Sequence, residues 1–120
     1  MNASDLMMKA TQAASSAAAL LEDGDTDGAC NRAYYAMFDA ARAALIQAGH
    51  QIGKTHKGVL ALFSEQFVKP GLVTKEVGKS LKKAETFRYV ADYDSASVNH
   101  SDAQELVTLA QDFVNLVRSE

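Results

Sequence analysis

The stretch RAYYAMFDAARAAL, residues 32–45, decides the fold. Its alanines, Leu45, Met37, two tyrosines and Phe38 are the material of a buried helix, yet Arg32, Asp39 and Arg42 are set among them. Placed on a helical wheel at about 100° per residue, residues 28–48 carry one plain core stripe: Cys30, Tyr34, Met37, Phe38, Ala41 and Leu45. The opposite face holds Arg32, Tyr35, Ala36, Asp39, Ala43 and Ile46 where a surface helix would carry lysines and glutamates. A helix of this kind is packed on both sides, one of them semi-polar. Arg32 and Asp39 stand seven positions apart, two turns, and so share that second face. The reading at this stage is a second buried contact on that face.

Outward from this helix, the breaks are short. EDGDTDG (22–28) is acidic and turn-like, AGHQIGK (48–54) stops a helix at Gly49, KPGLVT (69–74) holds the single proline, and DSASVNHS (94–101) is polar. Ser101 with Gln104 three residues on reads as a capping box. Between the breaks the apolar period is helical. Leu6, Ala10, Ala13, Ala17 and Leu20 mark 3–22, and Ala103, Leu106, Ala110, Phe113 and Val117 mark 103–117. Val59, Leu60, Phe63 and Phe67 mark a shorter helix over 56–68, with Thr55 as its N-cap. No segment alternates as a strand does. These spacings predict an all-α, up-and-down four-helix-bundle-like fold with a fifth short helix, one domain over residues 1–120.

The helix over 74–93 has its own irregularity. Lys75, Lys79, Lys82 and Lys83 line its outer face, while Arg88 falls within the apolar side marked by Val77, Leu81, Ala84 and Ala91. A shielded guanidinium needs an anionic partner; Glu85 and Asp92 on the same helix and Asp39 across the bundle qualify. The sequence thus offers a polar cluster of Arg32, Tyr35, Asp39, Arg88 and Asp92, with Tyr93 at its edge.

Composition bounds the function classes. With 48% hydrophobic residues and a net charge of −3, the chain is a folded domain and not a disordered one. The mild acidity argues against nonspecific nucleic-acid binding over a broad surface, while leaving room for a local basic site. No run is long enough for a membrane span, the N-terminus lacks the charge and apolar pattern of a signal peptide, and Cys30 stands alone, so a cytoplasmic protein is expected. GHQIGKT (49–55) resembles the end of a P-loop, but that pattern needs Gly where Ala48 stands, and a helix and not a strand leads in, so no phosphate cradle is expected there. His50, His56 and His100 have no mutual ligand spacing, and neither a metal site nor a cofactor is expected.

RAYYAMFDAARAAL, then KTHKGVLALFSEQFVKPGLV, then FRYVADYD together resemble the HEPN superfamily, specifically its small single-domain bacterial and archaeal members, from about residue 5 to 118. The resemblance implies a helical-bundle homodimer, and with it the second face of the 28–48 helix is expected to be the dimer face, lining a cleft with Arg32 and Asp39 from both copies. It also implies, for many members, metal-independent ribonuclease activity carried by an Arg, four to six arbitrary residues and a His, and pairing with a nucleotidyltransferase in toxin–antitoxin systems. Arg32 matches the motif Arg; the His position is occupied by Asp39, so the motif is degenerate where proton transfer would sit. An ionised Asp is a much weaker base than a neutral His, and Arg32 and Arg42 are expected to hold its pKa down.

Three readings follow. The first is a dimeric partner of a nucleotidyltransferase with the ribonuclease motif degenerate. The second is an active ribonuclease toxin in which Arg32 holds the phosphate and His56 or Tyr35 assists. The third is a nucleotide-binding module using Arg32, Arg88 or the lysine stripe. Arg32 and Asp39 are the catalytic candidates. Tyr35, Arg88, Lys79, Lys82 and Lys83 are candidates for contacting nucleotide or RNA. Asp92 and Tyr93 complete the cluster, Tyr93 as a potential acceptor of an adenylyl group from the partner that the resemblance implies.

Overall fold

Each of the five α-helices begins at a side chain that accepts from the backbone three residues on. The helices are α1 (Ala3–Glu22), α2 (Thr26–Gln47), α3 (His56–Phe63), α4 (Lys75–Tyr93) and α5 (His100–Arg118), in a computed structural model that describes residues 1–119. Asn2 accepts from Asp5, Asp25 from Gly28, Thr55 from Gly58, Thr74 from Val77 and Asn99 from Asp102. Each such bond satisfies one of the four orphan donors at a helix start. At the other end, α1 and α2 stop on glycines in the left-handed region, Gly24 at φ 86° and Gly49 at φ 88°. Gly49 N donates to Ile46 and His50 N to Leu45, the paired closure that a left-handed residue allows. The fold is all-helical, as the periodicity predicts, and no strand occurs among the described residues.

Three boundaries differ from the sequence reading. α2 begins at Thr26, inside the stretch read as a turn, because Asp25 supplies the cap. α5 begins at His100 under Asn99, ahead of the expected Ser101–Gln104 box. The reason is upstream: Val98 is buried and its N–H donates to Asp27 Oδ1 at 2.9 Å, which pins the loop to the start of α2 and lets the helix begin earlier. The segment 56–68 is α-helical only to Phe63; Ser64–Val68 form one wider π-turn, after which Lys69 N donates to Ser64 O.

The core is organised around α2. From Ala29 to Ile46 every one of its residues is at least half shielded from solvent. α1 lies along it most extensively, α5 and α4 flank it, and α3 packs on it more sparsely, with His56 against Tyr34 and Phe38. Ala36 and Ala43, on the face that the sequence assigns to a dimer contact, are buried within this single chain. At these two positions the second face of α2 is covered by the chain's own helices, while Arg32, Tyr35 and Asp39 on the same face are only partly shielded. Alanines make that approach feasible: Ala10, Ala13, Ala14 and Ala17 of α1 are buried, as are Ala29, Ala33, Ala36, Ala40, Ala41 and Ala43 of α2. Small side chains let helix axes come close and dense packing follow.

Candidate functional site

Tyr35 of α2 separates two groups of polar side chains. On one side, a groove of about 400 Å³ runs between α1 and α2, lined by Lys9, Gln12, Ser16, Arg32, Tyr35 and Asp39. The Arg32 guanidinium carbon lies 5.2 Å from the centre of the Tyr35 ring, within cation–π range. Its Nε is buried without a hydrogen-bond partner, and Arg32 makes no ion pair among the described residues. Asp39 does not reach back to it. Its Oδ1 lies 3.3 Å from Nη1 of Arg42, one turn on. Burial raises the Asp39 pKa above the ordinary carboxylate value, although Arg42, Lys9 and Arg32 all pull it down. The expectation that the arginines would dominate is thus corrected: Asp39 is only 14% exposed, and desolvation outweighs them.

On the other side of Tyr35 stand Arg88 and His56. Arg88 Nη2 donates to the Tyr35 hydroxyl at 3.1 Å, and its guanidinium carbon is 5.5 Å from the ring centres of both Tyr34 and Tyr35. Of its three expected partners, Asp92 takes the role: Asp92 Oδ2 is 2.9 Å from Arg88 Nε, and Asn31 Nδ2 donates to Asp92 Oδ1 at 3.2 Å. The Nε–H is not aimed at that oxygen, so the contact is an ion pair by proximity and not a directed hydrogen bond.

His56, the first residue of α3, is the member of the cluster that sequence reasoning placed least. Its ring stacks on Phe38 at 4.2 Å between centres and meets the edge of Tyr35 at 5.7 Å. Its Nδ1 is 3.0 Å from the hydroxyl of Tyr34, a residue with no solvent exposure. Burial pushes the His56 pKa below its ordinary value, and Arg88 and Arg42 push it further. The Tyr34 hydroxyl is moved up to about 12, chiefly by burial, so it stays protonated. Part of the signal for this arrangement lies in the sequence: Tyr34 and Phe38 at i and i+4 form one aromatic ledge on α2. What the sequence does not show is that the loop after Gly49 returns α3 onto it.

The remaining candidates separate. Lys79 and Lys82, with Lys57 and Lys75, rim a groove of about 620 Å³ between α3, the π-turn and α4, floored by apolar side chains. Lys83 leaves that stripe and pairs with Glu105 of α5. Tyr93 is 68% exposed and sits against Tyr89, 4.9 Å between ring centres, beyond the Arg88–Asp92 pair. Cys30 is buried and its thiol is raised to about 11, mainly by burial. Among the described residues no three of His, Cys, Asp or Glu come together as metal ligands, and no helix is long and apolar enough to cross a membrane.

Residues 3–120 match the HEPN domain family. The chain is 34% identical to the UPF0332 protein glr0978 of Gloeobacter violaceus over 93% of this chain and 90% of the relative. It is 31% identical to "Putative toxin MJ0605" of Methanocaldococcus jannaschii over 87% of this chain and 77% of the relative. The crystal structure of TT1696 from Thermus thermophilus superposes with a TM-score of 0.81 at 20% identity, covering 99% of this chain and 98% of that one, which shows the shared fold. With its whole described length arranged around one two-faced helix carrying Arg32, this chain belongs to the HEPN domain family.

Proposed function

We propose that this chain is the toxin-type member of a two-protein system and that it acts on RNA, holding a phosphodiester in the Arg32 groove. The observation that carries this reading is Arg32 itself. Its guanidinium has no carboxylate partner among the described residues, and it rests against Tyr35 in an open groove. A rigid fork of donors beside an aromatic ring suits a phosphate with a base next to it. Asp39 does not neutralise that fork, being bonded to Arg42. Lys9 adds a second positive charge on the α1 side. The toxin name of the relative MJ0605 supports the first half of the proposal. A homodimer in the cytoplasm, held in check by a nucleotidyltransferase partner, is the setting that the family resemblance implies.

A second reading is favoured by one observation. Asp39 stands where the motif has its His, and it is engaged with Arg42, so on this reading the groove binds RNA or a nucleotide without cutting. One experiment separates the two. Purified protein is incubated with RNA in EDTA, alongside Arg32→Ala and Asp39→His. The ribonuclease reading expects wild type to cut and Arg32→Ala to lose about a hundredfold. Wild type inert with Asp39→His active would make the chain a silenced nuclease scaffold. Neither cutting nor binding RNA would overturn the proposal. A strictly monomeric mass at micromolar concentration would remove the dimer from it.

A further inference from the structure

We propose that the lysine-rimmed groove between α3, the π-turn and α4 is a docking site for an acidic, amphipathic helix of a partner protein. The proposal stands apart from the Arg32 reading, because the two grooves share no lining residue. Three observations carry it. First, the groove is built into the fold. α3 and α4 make little direct contact and are joined chiefly through the π-turn, which leaves an opening of about 620 Å³ between them. Gly78 lets the π-turn seat closely on α4: a Cβ there would lie 3.1 Å from Val68 Cγ2, tighter than the usual approach of two carbons. Second, the floor is apolar. Leu60, Phe63, Val68 and Leu81 line it, and Phe63 and Leu81 belong to the core beneath. Phe63 is the one aromatic ring among the lining residues and is only 1% exposed, so the groove offers nucleic acid no surface for base stacking. Third, the rim is basic and its charges are spread out. Lys75, Lys79 and Lys82 follow one another at four and three positions along α4, and Lys57 stands on the α3 side. All four are exposed, and none forms an ion pair among the described residues.

This pattern selects the occupant. Four of the chain's twelve lysines and arginines line one groove of a chain whose net charge is −3, and Glu85 is the one carboxylate in the lining. The site therefore calls for negative charge. Lys75 and Lys82 are seven positions apart, about 10 Å along the helix axis. A small anion with a single head does not reach charges set that far apart. A helix lying in the groove meets them with Asp or Glu at the same three- and four-residue spacing. Carboxylates on its other edge face Lys57, and apolar side chains between the two edges rest on the floor. A second copy presenting this same face would set lysine against lysine, so the groove does not pair with itself. The floor supplies affinity, while the lysines fix register and speed the encounter.

The test is a selection of displayed random peptides of about four helical turns on the full chain, followed by anisotropy titrations of the enriched peptides. The proposal expects enriched sequences that are acidic, with apolar residues at the three- and four-residue spacing of one helical face. The double variant Lys79→Glu with Lys82→Glu should bind them on the order of tenfold more weakly, and added salt should weaken wild-type binding. Ala61→Trp, at an exposed position in the lining, should weaken binding by a similar factor by filling the groove. Thermal melts confirm that each variant folds. Peptides that are neutral or basic, or whose binding is unmoved by either the double lysine variant or Ala61→Trp, would overturn the proposal, as would the recovery of no binder at all. A short single-stranded RNA that binds wild type and not the double lysine variant, with no peptide enriched, would make the stripe a nucleic-acid surface instead. A smaller solution mass for the double lysine variant than for wild type would show that a second copy covers this face, and that too would overturn the proposal. RNA cleavage does not enter the peptide readout, so this proposal and the Arg32 reading fail independently.

Discussion

The two sides of α2 are made of different material. Toward α1 and α5 the helix presents alanines, and buried alanines answer them from Ala10 to Ala17 and at Ala103 and Ala110. Toward α3 and α4 it presents Tyr34, Tyr35 and Phe38, which meet His56 and Arg88. The alanine side places helices by close backbone approach and tolerates nothing larger. The aromatic side holds polar tips among its rings. Stability should therefore be concentrated on the first side, and the polar contacts of His56 and Arg88 on the second. That division is open to attack from both directions.

The largest effect is expected from Ala40→Leu. Ala40 has no exposure, and the added isopropyl group must displace a neighbouring helix. Overpacking of this kind costs about 1–3 kcal/mol, read as a fall in the urea midpoint with the slope unchanged. A loss below about 0.5 kcal/mol, within the range of ordinary surface changes, would mean that the alanine side is loosely packed and the contrast is false.

Next comes Tyr34→Phe, which leaves the ring and removes the hydroxyl. It takes the partner from His56 Nδ1 and should cost about 1 kcal/mol, the usual worth of one such bond. The stacked contacts with Phe38 and His56 remain. A larger loss would show that the aromatic side carries more of the fold than this division allows.

The pH dependence of stability sharpens the same side. His56 has its folded pKa below its unfolded value. Between the two, the unfolded chain holds the extra proton, so this group's contribution is full above about pH 6.5 and is lost as pH falls through the window beneath it. Asp39 works with the opposite sign. Its folded pKa is raised, so the folded chain binds the proton first, and its contribution grows as pH falls toward the ordinary carboxylate value. His56→Gln should flatten the decline of stability below about pH 6.5 relative to wild type, and Asp39→Asn should remove the gain that the carboxyl makes as pH falls toward its ordinary value. Denaturant titrations at closely spaced pH values measure both; parallel curves for all three proteins would contradict the assigned shifts.

How much of this is legible in the sequence follows the range of the forces involved. Thr55 as a cap, Gly49 as a stop and Arg88 with Asp92 are contacts within one turn, and the spacing alone exposes them. The double-sided burial of α2 is legible as well, because lysine and glutamate are missing where a solvated face needs them. What covers that face is not. Ala36 and Ala43 look the same in sequence under a second copy or under the chain's own helices. Arg32 and Asp39 share a face but stand about 10 Å apart along the axis, so a pair that the wheel suggests is too far to form, and Arg42 takes the carboxylate instead. His56 is hidden for the opposite reason: it is distant in sequence from Tyr34 and close in space, and a loop with no periodicity makes the connection.

The smallest effect is the one that most narrows where stability lies. α4 and α5 touch little, and the Lys83–Glu105 ion pair bridges them with both side chains well exposed, 42% and 50%. If α4 is held by its aromatic contacts with α2, the pair is incidental. Exposed pairs contribute about 0.2–1 kcal/mol, less when salt is added. Lys83→Ala and Glu105→Ala, singly and together, should give a coupling below about 0.5 kcal/mol, fading between low and high salt. Lys83 also lies 5.8 Å over the Phe87 ring, so Lys83→Ala alone will read slightly higher than Glu105→Ala, and only the double variant isolates the charge pair. A coupling well above about 1 kcal/mol would mean that α4 depends on α5 to stay in place. Arg88 would then owe its position to a surface contact and not to Tyr35, and the cluster on the aromatic side would loosen with ionic strength.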